Sequence, residues 1–250
     1  MPTCNSWDAP SYKEHAQFVS YLALPVVDLL APKDDELILD LGCGDGSLAK
    51  EIENLGAKVI GVDRSANMVK ACKTRGVESY ALCATQLPYK DKFDAVFSNA
   101  VLHWIDDPKL VLEKIHRSLK DQGRFIAKFG GEGNIKFLTQ AMQTVFENHP
   151  EFGPFENPWY FPSSQEYKKH LEEQGFEVHT IELIKRPTKI DDIANWLNIF
   201  ANGIIAHLSP TQQIQFKQEV RTLLKSQLYT KEDGWVADYV RLRLKASKIR

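Results

Sequence analysis

A doubly wound, mostly parallel α/β sheet is the fold this sequence predicts. The first observation behind it is the stretch from Leu37 to Asp63. A short apolar run leads into glycines alternating at Gly42, Gly44 and Gly46, then a helical stretch over Ser47–Leu55, then a second apolar run, Lys58–Val62, closing on Asp63. Strand, tight turn, helix, strand, acid is one half of an adenosine-binding crevice. The second observation is alternation. Strand-like runs recur at Leu37–Leu41, Lys58–Asp63, Val77–Cys83, Phe93–Asn99 and Arg124–Phe129, separated by helical stretches such as Ala66–Thr74 and Pro108–Leu119. Strands spaced in this way pair in parallel through right-handed crossovers. Size is the third: 250 residues at 43% hydrophobic can bury the core of one larger α/β domain.

The remaining elements follow in order. Residues 11–31 carry Phe18, Tyr21, Leu22, Leu24, Val26, Val27, Leu29 and Leu30 at helical spacing, with a kink or break expected at Pro25. Beyond Gly130-Gly131, Ile135–Phe146 reads as a helix and 152–162 as a loop rich in proline and aromatics. Ser163 or Ser164 caps the next helix, Gln165–Gln174, which stops at Gly175. A strand is expected at Phe176–Leu183, and helix over 191–228 with a break at Ser209-Pro210. The last strand, Val236–Ala246, puts Val240, Leu242 and Leu244 on one face and Tyr239, Arg241 and Arg243 on the other. A helical insertion thus separates the last two strands. The expected organisation is a single domain over 1–250, with a cofactor-binding core at 35–130 and substrate-cap insertions at 132–165 and 188–232.

Composition excludes several classes. With a formal charge of -2, no field drives the chain onto nucleic acid or anionic lipid. The basic residues at the C-terminus (Arg241, Arg243, Lys245, Lys248, Arg250) read as a solvated strand end in preference to a basic nucleic-acid stripe. Met1–Trp7 lacks the pattern of a secretory signal, and no segment has the length of a membrane span. Cys4, Cys43, Cys72 and Cys83 show no paired spacing and read as reduced thiols of a cytoplasmic protein. The histidines lack metal-ligand spacing, so no metal site is expected. Nothing in the pattern assigns an oligomeric state.

At the glycine turn, residue chemistry narrows the ligand. Glycines serve where backbone takes unusual dihedrals or a ligand comes close, and an acid ending the second strand can accept both ribose hydroxyls. Dinucleotide sites use G-x-G-x-x-G; here the glycines alternate strictly, with Asp45 between the second and third. A carboxylate there suits a ligand with a cationic amine and sulfonium better than a diphosphate.

On these residues the chain resembles the class I S-adenosylmethionine-dependent methyltransferases. Leu39–Gly46 matches the first motif, Gly61–Met68 the second, Phe93–Trp104 the fourth-strand motif and Leu119–Phe125 the turn into strand five, in family order. The resemblance implies a Rossmann-like sheet of seven strands and S-adenosylmethionine as cofactor. It implies a cofactor site built from Asp40, Gly42, Cys43, Gly44, Asp45, Asp63, Arg64, Met68, Ala84, Thr85, Asn99 and Ala100. Asp63 would take the ribose hydroxyls and Met68 would lie against adenine. One departure stands out: Cys83-Ala84-Thr85 occupies the place where the family commonly has an acid for the adenine amino group.

The acceptor side is less defined. His103, just past strand four, reads as a general base or orienter, or as a packed structural histidine. Arg241 and Arg243, with Tyr239, would grip an acidic acceptor or stand as ordinary strand charges. Trp7, Tyr12, His15, Trp104, Trp159 and Tyr160 are further acceptor-side candidates. Looser similarity over Trp7–Tyr12, Asn99–Ile105, Asn195-Trp196 and Tyr239–Arg243 resembles the trans-aconitate methyltransferase-like group. That implies O-methylation of a carboxylate on a small-molecule acid. Two alternatives stay open: a hydrophobic acceptor held by Ile193, Trp196, Leu197, Phe200, Ile204 and Leu208, or a non-catalytic cofactor-binding protein.

Overall fold

The computed structural model describes residues 24–249, which fall into two compact units. One holds residues 24–132, Tyr160–Ile184 and 241–249; the other holds Gly133–Trp159 and Lys185–Val240.

The first unit is built on strands β1 (Leu37–Leu41), β2 (Lys58–Asp63), β3 (Glu78–Ala81), β4 (Phe93–Asn99), β5 (Leu119–Gly130), β6 (Phe176–Lys185) and β10 (Val240–Lys248). They form a seven-stranded sheet in the order β3-β2-β1-β4-β5-β10-β6. The pairs among β1 to β5 are parallel, and β10 runs antiparallel to β5. The chain winds outward from β1 to β3, then returns to add β4 on the other side of β1. That reversal opens the crevice where such sheets bind ligands.

Burial on both faces explains the continuous apolar strands. Neighbouring residues of β1 serve opposite faces. Ile38 packs with Val26, Val27 and Leu30 of helix α1 (Leu24–Leu30) and Ala49 and Ile52 of α2 (Ser47–Asn54). Leu39 packs in the cluster that holds Val111 and Ile115 of α4 (Pro108–Ser118) and Leu171 of α6 (Ser164–Glu173). Helix α3 (Ala66–Thr74) begins at Ser65, whose Oγ accepts from Met68 N–H at 3.3 Å. Ser163 caps α6 in the same way.

Several strands of this sheet differ from their expected boundaries, and β6 runs two residues further, to Lys185. β3 spans only Glu78–Ala81, and β5 begins earlier, at Leu119. Phe93 pairs with Leu119 but Ala95 with Arg124, so a bulge stands where the family resemblance implied a turn into strand five.

The second unit holds α5 (Lys136–Asn148), α7 (Ile193–Phe200) and α8 (Pro210–Leu228), with a small antiparallel sheet ordered β7 (Thr188–Ile190), β9 (Gly234–Ala237), β8 (Tyr229–Thr230). Phe146 of α5 meets Phe216 of α8 edge to face at 5.4 Å. Ile193, Trp196, Leu197, Ile204 and Leu208 are buried, so the apolar face read from the sequence packs inward.

The single strand expected over Val236–Ala246 is in fact two. The chain breaks at Asp238, whose carboxylate accepts from Phe137 N–H at 2.9 Å while its carbonyl accepts from Ile135 N–H at 3.0 Å. Capping the start of α5 occupies Asp238, and a turn from Tyr239 N–H to the Ala237 carbonyl follows. Tyr239 therefore lies ahead of β10, outside the strand that carries Arg241 and Arg243. No described helix is long and apolar enough to cross a membrane.

Candidate active site

β1 delivers the chain to Gly42, where the N–H groups of Gly42 and Cys43 both donate to the Val62 carbonyl, at 2.8 and 3.0 Å. Gly42 sits at φ +80°, and a Cβ there would fall 2.6 Å from Val101 Cβ. Only glycine fits that turn. Gly44, at φ +54°, has open space where its Cβ would be. β2 ends in Asp63, whose Oδ2 accepts from Gly44 N–H at 3.1 Å and whose Oδ1 accepts from Ser65 N–H at 2.8 Å. One carboxylate thus ties the glycine turn to the β2–α3 turn. Burial pushes its pKa up, against the pull of those two backbone donors.

A cavity of about 430 Å³ opens at this edge of the sheet, within the range of small-molecule pockets. Its wall comes from four turns: Gly42 and Gly44 after β1, Asp63, Arg64 and Met68 after β2, Leu82 to Thr85 after β3, and Asn99 to Val101, Trp104 to Asp107 and Leu110 after β4. Asn99 Oδ1 is buried there and accepts no hydrogen bond among the described residues. A ligand donor would satisfy it. The space over Gly44, the Asp63 carboxylate, the Asn99 oxygen and the apolar sides of Met68 and Leu82 fit S-adenosylmethionine. Where an acid was missing after β3, Cys83 Sγ and Thr85 Oγ1 lie 3.1 Å apart on the wall.

Of the residues read from the sequence, Gly42, Gly44, Asp63, Arg64, Met68, Ala84, Thr85, Asn99, Ala100 and Trp104 line this cavity. Three others stand behind it. Asp40 is buried, its Oδ2 without a hydrogen-bond partner among the described residues, and burial, then the nearby Cys72 and Asp63, push its pKa well up. Cys43 is buried. Asp45, expected to meet a cationic ligand, faces a protein cation instead. Its Oδ2 pairs with Arg75 at 2.6 Å and its Oδ1 accepts from Ser47 Oγ at 2.7 Å. Burial pushes Asp45 up, but the Ser47 and Arg75 contacts outweigh it and hold the carboxyl below its usual range. That aspartate shapes the loop.

The acceptor candidates are dispersed. His103 is buried behind the wall. Tyr160 donates its hydroxyl to Glu166 at 2.8 Å, and Arg243 holds Glu182 at 2.6 Å. Arg241 pairs in register with Gly130 at the end of β5. In the second unit, Trp159 packs near Trp196, and the Tyr239 hydroxyl accepts from the Trp196 indole at 2.6 Å. Trp7, Tyr12 and His15 lie outside the described residues. No group of three metal-binding side chains occurs among the described residues.

Sequence reading missed the wall beyond Trp104, formed by Ile105, Asp106, Asp107 and Leu110. Its signal was there. Asp107 before Pro108 is a helix start, with Asp107 Oδ1 accepting from Leu110 N–H at 2.9 Å. A helix starting so soon after β4 has to place its first turn beside the switch point.

Residues 39–127 match the methyltransferase domain family. An uncharacterised methyltransferase of Schizosaccharomyces pombe is 36% identical over 97% of this chain and 98% of its own length. A malonyl-[acyl-carrier protein] O-methyltransferase of Hamiltonella defensa is 31% identical over 56% of this chain and 55% of its own length. In structure, Haemonchus contortus phosphoethanolamine N-methyltransferase 2 in complex with S-adenosyl-L-methionine aligns with a TM-score of 0.60 at 19% identity, covering 92% of this chain and 53% of that one. With a full-length methyltransferase relative, the matching sheet and a cavity suited to the cofactor, the chain belongs to the class I S-adenosylmethionine-dependent methyltransferases.

Proposed function

We propose that this enzyme O-methylates a carboxylate of a small-molecule acid in the cytoplasm, as a member of the trans-aconitate methyltransferase-like group. The observation that carries the reading is Arg241. It pairs with Gly130 at the end of β5, and its positive charge reaches His103, just past β4. A guanidinium at the acceptor end of the sheet favours an anionic acceptor. The identity with the malonyl-[acyl-carrier protein] O-methyltransferase adds support at the level of chemistry.

S-adenosylmethionine supplies an activated methyl group, and a carboxylate needs no proton removed before attack. What remains for the protein is alignment and exclusion of water, which can supply most of the acceleration. The insertions at 132–165 and 188–232 are proposed to select the acceptor, and Asp40, Cys43 and Asp45 to support the cofactor turn from behind.

The test is a panel of di- and tricarboxylic acids incubated with enzyme and S-adenosylmethionine, read by mass spectrometry before and after mild alkali. A methyl adduct that alkali removes is the expected product. An alkali-stable N- or C-methyl product, or turnover only with apolar neutral acceptors, would overturn the reading.

A further inference from the structure

We propose that His103 is a positioning residue of the methyl-transfer site, fixing Trp104 in the cavity wall by accepting a hydrogen bond at Nδ1 from the backbone of β5. Gly130 N–H lies 3.3 Å from His103 Nδ1. A backbone amide can only donate, so that nitrogen carries no proton and the ring is the Nε2–H tautomer. The group best placed by sequence to act as a base therefore has its Nδ1 lone pair engaged.

His103 also joins the chain segments around it. Its carbonyl accepts from Tyr160 N–H at 3.0 Å, and the Pro162 carbonyl accepts from Glu132 N–H at 2.8 Å. Its ring lies 5.4 Å from Trp104 and 5.8 Å from Phe161, tilted against both. The loop after β4, the end of β5 and the Tyr160–Pro162 segment thus meet at one imidazole. Trp104, the next residue, lines the cavity, whereas His103 does not. Burial, then the charge of Arg241, hold the imidazole neutral, which keeps Nδ1 an acceptor.

This inference rests on the methyltransferase site, but its test needs no acceptor, so failure of the carboxylate reading leaves it standing. Nitrogen-15 spectra of the labelled full chain read the tautomer directly. The expected result is a His103 ring with Nδ1 bare and Nε2 protonated, unchanged between about pH 5.5 and 8. A second measurement separates tethering from proton transfer. His103→Asn keeps a carbonyl oxygen near the Nδ1 position but has no basic nitrogen. It is expected to bind S-adenosylhomocysteine within about twofold of the parent and to retain hydrogen-exchange protection at Gly130. His103→Ala is expected to lose that protection and roughly 5- to 100-fold in affinity. An Nδ1–H tautomer, a His103 titration in the pH 6–7 region, or equal impairment of both variants would overturn the proposal.

Discussion

Gly42 and Gly44 both sit at positive φ, yet a methyl group added to each meets different surroundings. At Gly42 it strikes Val101 and strains the turn, so Gly42→Ala is expected to cost about 2–4 kcal/mol in thermal or denaturant unfolding. At Gly44 it meets open space on the cavity wall. Gly44→Ala should cost only about 1 kcal/mol of stability. Its cofactor affinity should fall at least about tenfold, because the methyl occupies ligand volume. Asp63 makes the same separation by pH. Burial raises its pKa, so the anion that accepts ribose hydroxyls is complete above that raised value and lost as pH falls through it. Cofactor affinity should weaken on acidification earlier than an ordinary aspartate would cause. For the ligand-free fold the sign reverses. A folded state that holds the proton more tightly than the unfolded chain loses stability as pH rises toward the raised pKa. Asp63→Asn keeps one acceptor oxygen but turns an amide NH2 toward the other of the Gly44 and Ser65 N–H donors, so without ligand it should unfold about 1–3 kcal/mol more easily than the parent near neutral pH.

Among elements, the end of α1 is fixed by one guanidinium. Arg124 of β5 donates from Nε to the Leu30 carbonyl at 2.9 Å and through Nη1 to Glu36 at 2.7 Å, just ahead of β1. Helix end, sheet and strand entry meet at that pair, which is largely shielded from water. The Arg124 hydrogen bond, against the cost of burial, holds Glu36 below its usual pKa. Its contribution is full above the ordinary glutamate pKa and is lost as pH falls through the depressed folded value. Glu36→Gln should cost about 1–3 kcal/mol near neutral pH in denaturant titrations and remove that part of the acid dependence. Equal midpoints at neutral pH would make the pair neutral to stability.

For the whole molecule, what the sequence made legible follows from what leaves a local trace. The β1 turn, the β2 acid and the β4 end were readable because glycine dihedrals, strand periodicity and an acid at a strand terminus are written within a few residues. So was most of the sheet, since buried parallel strands are continuous apolar runs. The side on which Asp45 faces depends on Arg75, thirty positions away, and no local pattern encodes that contact. The break at Asp238 was missed because alternation continues on both sides of it, while its cause is the start of α5, about a hundred residues earlier. Ile105 to Leu110 went unread for a different reason: the cap signal was present but concerned a helix start rather than a pocket.

The central claim is a cofactor site organised around the Gly42–Gly44 turn and the Asp63 carboxylate. Calorimetric titration of the full chain with S-adenosylhomocysteine, repeated on Asp63→Ala, tests it most directly. Saturable binding in the micromolar range, weakened at least about tenfold in the variant, is the predicted result. Equal affinity in the two proteins, or no binding by a folded parent, would contradict it.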